Sequence, residues 1–404
     1  MALEAKEIRE AGLDPVAILL SLASRHRLAP EERDILAWAA RAASPAQWEA
    51  VAGETLFRWT AGVLCHHLRS AGVEPPRKLQ EEYRRVAMRA VQDEAELRRL
   101  APPLREAGVE VLLIKGAALK GLIYPNPGLR PADDSDWVVH SPGDWEEACR
   151  VLAREGYQGA EGEGGAAWER GESVVELHRN VLGDERVLAR LPAADEAETD
   201  AAVWARSHPS PLGPPFRVPA PGDHLIILCT HLMKHNFEPG IWFTDIEGLL
   251  LSEPGLDWEA VLSRARAWGL ARPLAYALRS LGLLGEGRFG APALALPPGV
   301  RAALAEMRPS FLERLLLSLA HTRLSGEKEE WERPPVGNLL WLSSRQGAGA
   351  KLALLREAAF PRHEVMAQIY PGYRPALRGW YLLRRGADLL RLALRLAARL
   401  GRRS

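Results

Sequence analysis

Apolar residues recur every three or four positions along most of this chain, and one central stretch interrupts that spacing. The spacing is helical from residue 15 to about residue 108, and it becomes helical again from residue 223. Between these regions stand short apolar runs, 109–114 and 173–178, which are rich in β-branched residues and preceded by glycine, as buried strands often are. The sequence therefore predicts an α+β fold with a small mixed sheet flanked by two helical regions.

The length and the charge balance limit the number of domains and the class of protein. A chain of 404 residues is too long for one hydrophobic core, so two or three folding units are expected. We place a helical region at 1–108, a mixed-sheet domain at 109–220 and a second helical region at 221–404. Lys plus Arg equals Asp plus Glu at 52 each, so the chain lacks the overall basic excess of many nucleic-acid-binding proteins.

The cysteines and the apolar segments indicate a soluble protein of the cytoplasm. The three cysteines are scattered and follow no ligand spacing, which argues against a disulfide framework or a zinc site. The first residues are charged and lack the apolar run of a signal peptide. No stretch reaches the roughly 18 uncharged apolar residues that a membrane span requires. We therefore expect a cytoplasmic location.

Local signals predict the individual elements. Capping residues, glycines and prolines mark helix ends and turns, and short β-branched runs mark strands. In the central stretch they predict a strand at 136–140, helices at 117–123 and 145–155, a loop at 124–131, a turn at 159–165 and a closing proline-rich segment at 209–221. On either side, helical segments are predicted at 34–43, 54–71, 79–107, 223–235, 241–251, 258–268 and 271–284.

Three acidic residues of the central stretch are candidates for a metal site. Residues two apart in a strand point to the same face, so Asp134 and Asp136 are expected to share one position. Paired carboxylates repel each other unless a cation neutralises them, and their hard oxygens suit Mg²⁺ or Mn²⁺. Glu176, in the middle of the strand predicted at 173–178, is the candidate third ligand of a two-ion site for phosphoryl transfer. The ordinary alternative for the Asp pair is an acidic surface without a ligand.

Residues just before the acid pair offer groups that a triphosphate needs. Lys115 supplies a positive charge, and Gly116 permits close approach of the backbone at the start of the helix that follows. Arg130 adds a guanidinium with two parallel N–H donors. Each feature is weak when taken alone, but their order along the chain favours phosphoryl-transfer chemistry.

Seven short segments together resemble the uncharacterised nucleotidyltransferase family of the polymerase-β-like superfamily. They are LIKGAALK at 113–120, YP at 124–125, LRP at 129–131, DSDWVV at 134–139, VELH at 175–178, HLMKH at 231–235 and WFTDI at 242–246. The resemblance covers about residues 85–260. It implies a polymerase-β-like nucleotidyltransferase domain at 109–220, a divalent metal, and transfer of a nucleotide to an acceptor.

The family's functional positions carry over residue by residue. Asp134 and Asp136 match its metal-binding pair, Gly116 matches the glycine beside the triphosphate, and Glu176 matches the third acid. The turn at 115–117 lacks the serine hydroxyl that the wider superfamily places there. That departure leaves phosphate binding to backbone groups and to the lysine.

The resulting prediction is an enzyme that moves a nucleoside monophosphate from a nucleoside triphosphate, with ATP expected, to an unidentified acceptor. The acceptor classes left open are RNA, protein, peptide and small molecule. The predicted catalytic and metal-binding residues are Asp134, Asp136 and Glu176, and the predicted nucleotide-binding residues are Lys115, Gly116, Ala117, Arg130, His178, Lys234 and His235. Two alternatives remain: a non-catalytic module of the same fold that binds a nucleotide or a partner, and a toxin- or antitoxin-type transferase acting on RNA or protein.

Several residues outside the acid pair have two interpretations each. His231 and His235 lie four apart on a predicted helix, which is the spacing of a zinc pair, but no glutamate stands between them, so packing or phosphate contact is favoured. Asp245 is expected either to orient Lys234 or a histidine, or to lie on a helix surface. His178 shares the face of its strand with the third acid, so it lies either at the edge of the site or in the core.

The stretch 376–403 predicts a basic amphipathic helix. Arg391, Arg395, Arg399 and Arg402 follow helical spacing opposite a leucine-rich face. The ordinary interpretation packs the leucines inward and leaves the arginines in solvent. The alternatives are contact with RNA or DNA phosphates and attachment to an anionic membrane surface.

Overall fold

Helices lie before and after one sheet, and the strands of that sheet fall between residues 111 and 218. The structure is a computed structural model that describes residues 14–162, 165–182, 196–235, 237, 240–285, 296–307, 309–310, 313–314, 316–317, 340–341, 348–361, 363, 366, 370 and 372–401. The strands occupy the region in which the sequence predicts the mixed sheet. The limits of the three predicted regions stay a prediction.

In the described part of the N-terminal region, five helices follow one another. They are α1 (Pro15–Ala23), α2 (Pro30–Ala42), α3 (Pro45–Phe57), α4 (Ala61–Ser70) and α5 (Arg77–Glu106). The first three begin with proline, whose missing N–H has no partner inside a helix anyway. Ser44 and Gln47 close a reciprocal capping box at the start of α3. These local signals explain where the helices begin.

The prediction of one helical segment at 54–71 is wrong, because the chain breaks between α3 and α4. Trp59 has a φ of +60°, which an α-helix does not accommodate. The backbone N–H of Thr60 donates to the carbonyl of Thr55 at 2.9 Å and closes the end of α3. Apolar spacing continues across this break, so periodicity alone does not reveal it.

Seven strands form one mixed sheet within the described residues. They are β1 (Val111–Leu113), β2 (Ser135–Val139), β3 (Gln158–Gly162), β4 (Gly165–Arg170), β5 (Ser173–His178), β6 (His208–Pro209) and β7 (Phe216–Val218), in the order β3-β4-β5-β2-β1-β7-β6. The pairs β2–β5 and β1–β7 are parallel, and the other pairs are antiparallel. A mixed sheet in an α+β chain is thus confirmed.

One prediction for this sheet is wrong, and another is incomplete. The glycine-rich segment 159–165 is largely strand, since β3 runs to Gly162 and β4 begins at Gly165. The proline-rich segment 209–221 does more than close the region, because it contains β7, which pairs with β1. The partner of β7 lies far earlier in the chain, so local composition does not signal the pairing.

Within the residues that the structure describes, three helices connect the strands and others follow the sheet. The connecting helices are α6 (Lys115–Leu119), α7 (Pro142–Arg154) and α8 (Glu196–Arg206). After the sheet come α9 (Pro221–Lys234), α10 (Ile241–Ser252), α11 (Trp258–Ala267), α12 (Ala271–Gly285), α13 (Pro298–Glu306), α14 (Ala348–Ala359) and α15 (Arg378–Gly401). In the ranges that the structure describes, none of the helices combines the length and the apolar character needed to cross a membrane.

The sheet is packed on both faces, and alternate residues of β1 and β2 belong to different cores. Leu113 and Trp137 pack with side chains of α5 and α7, whereas Leu112 and Val138 pack with side chains of α9 and α10. Residues two apart in a strand share a face, so Asp136 points to the same side as Val138. The sheet therefore presents its acidic residue toward α9.

A buried ion-pair network ties the N-terminal helices to α10. Arg25 donates through Nε to Glu247 and through Nη1 to Glu32, both at 2.8 Å. The backbone N–H of His26 donates to the other oxygen of Glu247 at 2.5 Å, and Nε2 of His67 lies 2.9 Å from the carbonyl of Arg25. Burial lowers the pKa of His67 to about 4, so its ring is neutral at pH 7 and donates as a neutral imidazole.

Candidate metal centre

Two adjacent parallel strands bring two acidic residues and a histidine to one face of the sheet. In the register of β2 with β5, Asp136 lies beside Glu176, and Val138 lies beside His178. The ligand atoms of Asp136, Glu176 and His178 all lie within 4.8 Å of one another, so one metal ion could contact all three. The sequence predicts that three acidic residues meet here, and the structure brings Asp136 and Glu176 together with His178 as the third group.

Asp136 is nearly fully buried and accepts two hydrogen bonds at one oxygen. Lys115 Nζ donates to its Oδ1 at 2.5 Å, and His178 Nε2 lies 2.8 Å from the same atom. Burial opposes ionisation of Asp136, but the charge of Lys115 and the hydrogen bond from His178 outweigh it and hold the pKa of the carboxyl well below its usual range. Asp136 is therefore ionised, which is the form that binds a metal.

Lys115 reaches Asp136 because the backbone turns sharply between β1 and α6. Its φ is +53°, in the left-handed region that costs a residue with a side chain about 1 kcal/mol. Its backbone N–H donates to Nε2 of His224 at 3.1 Å, and burial lowers the pKa of His224 to about 3, so this ring accepts as a neutral imidazole. The lysine predicted to meet a triphosphate is thus held against a carboxylate.

His224 is a residue that the sequence analysis missed. It lies on α9, 109 residues after its partner, and nothing in its local sequence marks it. Its place within an apolar helical segment gives no signal of a site, because a histidine there more often satisfies the core. Here it fixes the turn that aims the lysine.

Asp134 stands just before β2 and is half-buried. Burial raises the pKa of its carboxyl to about 7, and repulsion from Asp136 and Glu176 adds to that rise, against the opposing charges of Lys115 and Arg130. The repulsion requires the three carboxylates to share one region. Asp134 is not one of the three groups within 4.8 Å of one another, so it lies at the margin of that cluster.

Arg130 forms a second buried ion pair beside the first. Its guanidinium donates to both oxygens of Asp245 at 2.8 to 3.1 Å, and the hydroxyl of Tyr124 donates to the same carboxylate at 2.6 Å. The prediction that Asp245 orients Lys234 or a histidine, or lies on a helix surface, is wrong. Asp245 is buried and bonded to Arg130, which lies 115 residues earlier in the chain.

Gly116 has a function in the structure that the sequence does not reveal. A Cβ built on it would lie 3.0 Å from Nη2 of Arg130, so the missing side chain leaves room for the guanidinium. Ala117 follows it in α6 and is half-buried. The nucleotide-binding roles predicted for Gly116, Ala117 and Arg130 stay predictions.

Three rings cluster where α9 meets α10. The ring centroids of His231, His235 and Trp242 lie 4.3 to 4.9 Å apart. Burial lowers the pKa of His231 well below its usual value, and the positive charge of Lys115 lowers it further, so the ring stands close to the site. Lys234 lies beside these rings at the end of α9. Ring packing is thus present for the histidine pair, and the alternative of a phosphate contact stays a prediction.

Comparison with known proteins gives one match. A family model described as an uncharacterised nucleotidyltransferase matches residues 44–284 of this chain. No curated protein and no solved structure matches. The matched region runs from α3 to α12 and contains the sheet, the acidic cluster and the ring cluster.

Proposed function

The chain belongs to the uncharacterised nucleotidyltransferase family, and we propose that it moves a nucleoside monophosphate from a nucleoside triphosphate to an acceptor and releases pyrophosphate. In this proposal the sheet domain is of the polymerase-β-like kind. The observation that supports it best is the pairing of Asp136 with Glu176 on neighbouring parallel strands, with Asp134 at the margin. Family membership supports the type of reaction, and the carboxylates support its location.

The residues at this place fit a divalent cation. Asp134, Asp136 and Glu176 carry three negative charges when ionised, against one positive charge on Lys115, so the cluster has a negative excess. Carboxylate oxygens suit Mg²⁺, and the imidazole of His178 within ligand distance also suits Mn²⁺. Such an ion would withdraw charge from phosphate oxygens and favour an ionised acceptor hydroxyl.

Each carboxylate has a distinct part in the proposal. Asp136 is buried with a side chain 8% exposed, and it holds the metal in a fixed position. The side chain of Glu176 is 42% exposed, so it faces the space from which an acceptor arrives and takes the proton of the attacking group. Asp134 completes the oxygen ligands from the end of the same strand as Asp136.

The nucleotide is proposed to lie along α6 and the corner between α9 and α10. Lys115 and Lys234 supply positive charge for the phosphates at this corner. The rings of His235 and Trp242 offer a flat surface on which a base could stack. Helix α6 packs against both α9 and α10, which keeps the phosphate and base positions close together. ATP is the expected nucleotide.

Transfer of label separates this reaction from hydrolysis and from binding alone. The protein is incubated with ATP labelled at the α-phosphate or at the γ-phosphate, with Mg²⁺ and a lysate of its host, and labelled products are separated by size. The α-label is expected to enter an acceptor, while the γ-label leaves as pyrophosphate. Glu176→Gln is expected to reduce incorporation by roughly 10²- to 10³-fold, because it removes the carboxylate that takes the proton of the attacking group.

A matched control is available on the same strand pair. Glu172 lies four residues before Glu176 in the turn that precedes β5, and its side chain is 82% exposed. Glu172→Gln is expected to keep full activity. Incorporation of α-label that is equal in wild type and in Glu176→Gln would remove the proposal, as would absence of α-label transfer with all four nucleoside triphosphates.

One observation favours a second function. Lys115 Nζ donates to Oδ1 of Asp136, an oxygen that a metal would use, so the lysine neutralises this carboxylate without an ion, as a protein that only binds a nucleotide would require. A thermal shift with ATP that is the same with and without Mg²⁺ supports this binding module. A shift that appears only when Mg²⁺ is present supports the enzyme.

A further inference from the structure

Exposed apolar side chains concentrate at the C-terminal end of the described chain. Large apolar side chains are exposed on α14 and on α15, and these two helices pack against each other. On or just before α15 they are Leu377, Trp380, Leu383 and Leu390. This helix lies outside the region that the family model matches, so the nucleotidyl-transfer reaction does not account for it.

Four of the residues on α15 form one continuous stripe. Trp380, Leu383, Ala387 and Leu390 follow one another at steps of three, four and three, which places them on one helix face. The exposed fractions are 54% for Trp380, 77% for Leu383 and 61% for Leu390. The prediction that the leucine face packs inward is therefore wrong for these two leucines. Arg395 and Arg399 are in the helix, but their side chains, like Arg402, lie outside the described residues.

The opposite side of α15 is anchored to the protein. Tyr381 is buried against Met366 and Tyr370, and its hydroxyl donates to the carbonyl of Gly372 at 3.1 Å. The hydroxyl of Tyr370 donates to Asp388 at 2.8 Å. The helix is thus held in place by one face while the stripe points outward.

The stripe is bordered by positive charge. Residues 376–404 contain eight arginines and one acidic residue, although the whole chain has a net charge of zero. The guanidinium of Arg384 lies 5.7 Å from the ring centre of Trp380, next to the stripe, and Arg391 follows it by two helical turns. The single acid, Asp388, is already bound to Arg391 and to Tyr370. Positive charge therefore dominates this part of the sequence, and Arg384 lies beside the stripe.

We propose that α15 binds an anionic membrane surface, lying parallel to it with the stripe among the acyl chains and the arginines at the lipid phosphates. A helix with exposed Trp and Leu on one face and arginine beside it has the composition of an interfacial membrane helix. A nucleic acid would use the arginines but leave the leucines in water. A second copy of the chain would cover the leucines but bring the two rows of arginine together. The lipid surface satisfies both sets of side chains, and the proposal is independent of the reaction at the metal centre.

Flotation with vesicles tests this proposal on the full chain. Vesicles of phosphatidylcholine alone are compared with vesicles that contain about 30% phosphatidylglycerol, at about 0.1 M salt. Wild type is expected to float with the anionic vesicles at least tenfold more than with the neutral ones. Leu383→Ser with Leu390→Ser is expected to lower that partition about tenfold or more, since it removes apolar area that enters the bilayer. Arg384→Gln with Arg391→Gln is expected to lower it about fivefold, and about 0.5 M salt to have a similar effect.

Matched controls lie on α5, where Met88, Val91, Arg85 and Arg98 are also exposed. The double variants Met88→Ser with Val91→Ser, and Arg85→Gln with Arg98→Gln, are expected to keep binding within about twofold of wild type. Circular dichroism and thermal melting verify that every variant is folded.

Three results would overturn the membrane assignment. The first is vesicle binding that the leucine variant retains. The second is RNA binding that the arginine variant loses and the leucine variant keeps, without vesicle flotation. The third is a dimer of wild type that becomes a monomer in the leucine variant, again without flotation.

Discussion

Two buried charge networks in this molecule join residues that are far apart in sequence, and they differ in how completely their oxygens are bonded. In the first, Arg25 stands between Glu32 and Glu247. The second oxygen of each glutamate accepts a backbone N–H, from Ala29 and from His26. Every carboxylate oxygen therefore has a donor from the protein itself, which is the arrangement expected of a network that holds helices together.

The candidate metal centre lacks that balance. Lys115 and His178 both donate to the same oxygen of Asp136, and burial and the repulsion of Asp134 by Asp136 and Glu176 outweigh its attraction to Lys115 and Arg130. A protein that carries surplus like charge in a half-buried place gives up stability there, and sites for ligands are where such a cost is commonly found. In this molecule both clusters contain buried carboxylates, but the cluster whose carboxylate oxygens all have protein donors joins helices, and the cluster that lacks them is the candidate site.

The largest effect on stability is expected from breaking the bonded network. Glu247→Gln removes a buried charge partner of Arg25 and should lower the free energy of unfolding by about 3–5 kcal/mol. Urea denaturation at pH 7 measures it. Glu94→Gln, in the exposed pair with Arg98, is the control and should change stability by less than about 1 kcal/mol. Equal losses in the two variants would contradict the comparison.

Acid should weaken the same network through His67. The pKa of this ring is about 4 in the folded protein and near 6.5 when unfolded, so acid protonates the unfolded state first. The stability contributed by neutral His67 is complete above pH 6.5 and is lost as the pH falls toward 4, by about 3 kcal/mol in all. Urea denaturation of wild type and His67→Gln between pH 7 and pH 4 isolates this part. Curves that run parallel over that range would show that His67 is not responsible.

At the candidate metal centre, removal of a carboxylate should stabilise the folded protein instead of destabilising it. Asp134→Asn removes one of three repelling carboxylates, and without metal it should raise the free energy of unfolding by about 1–2 kcal/mol while lowering transferase activity. Thermal melting without divalent ions measures the change. Asp133→Asn, at the exposed neighbouring position, is the control and should leave both quantities unchanged. A destabilised Asp134→Asn would mean that this carboxylate is structural.

The smallest effect is expected at the glycine between the two ion pairs of the site. Gly116→Ala places a Cβ 3.0 Å from the guanidinium of Arg130 and should lower stability by about 1 kcal/mol, because the pair with Asp245 must shift. Gly53→Ala, inside α3 with nothing within 4 Å of the added atom, should instead raise stability by about 0.5–1 kcal/mol. Chemical denaturation of both variants gives the two values. A loss in both would indicate a general cost of alanine rather than a contact with Arg130.

Local pattern was sufficient for most elements of this fold. The β-branched run at 173–178 is a strand with the predicted limits, because its composition and its flanking glycine leave few alternatives. The same reasoning placed Asp136 and Glu176 on two strands facing one site. Side chains alternate between the two faces of a strand, so the sequence alone predicts which residues share a face.

Pairing across the fold was beyond the reach of local pattern. The bond of Arg130 to Asp245, the turn fixed by His224 and the strand β7 each depend on a partner about 100 or more residues away. The positive φ of Lys115 cannot be predicted from local composition either, because it depends on the hydrogen bonds that surround the residue. The sequence therefore indicates which residues face the site more readily than which of them are already bonded to each other.

Alternate residues of β2 pack into two different cores, so the positions of the candidate metal ligands depend on the register of β2 with β5. A slip of one residue against β5 would turn Trp137 toward α9 and bury Asp136 among the apolar side chains of α5 and α7. Such a slip would break both cores at once, so the sheet has no low-cost alignment in which the carboxylates are only partly misplaced. The candidate ligands are therefore either all in place or lost together with the domain. The packing of Trp137 and Val138 on opposite faces of β2 is what guarantees their alignment.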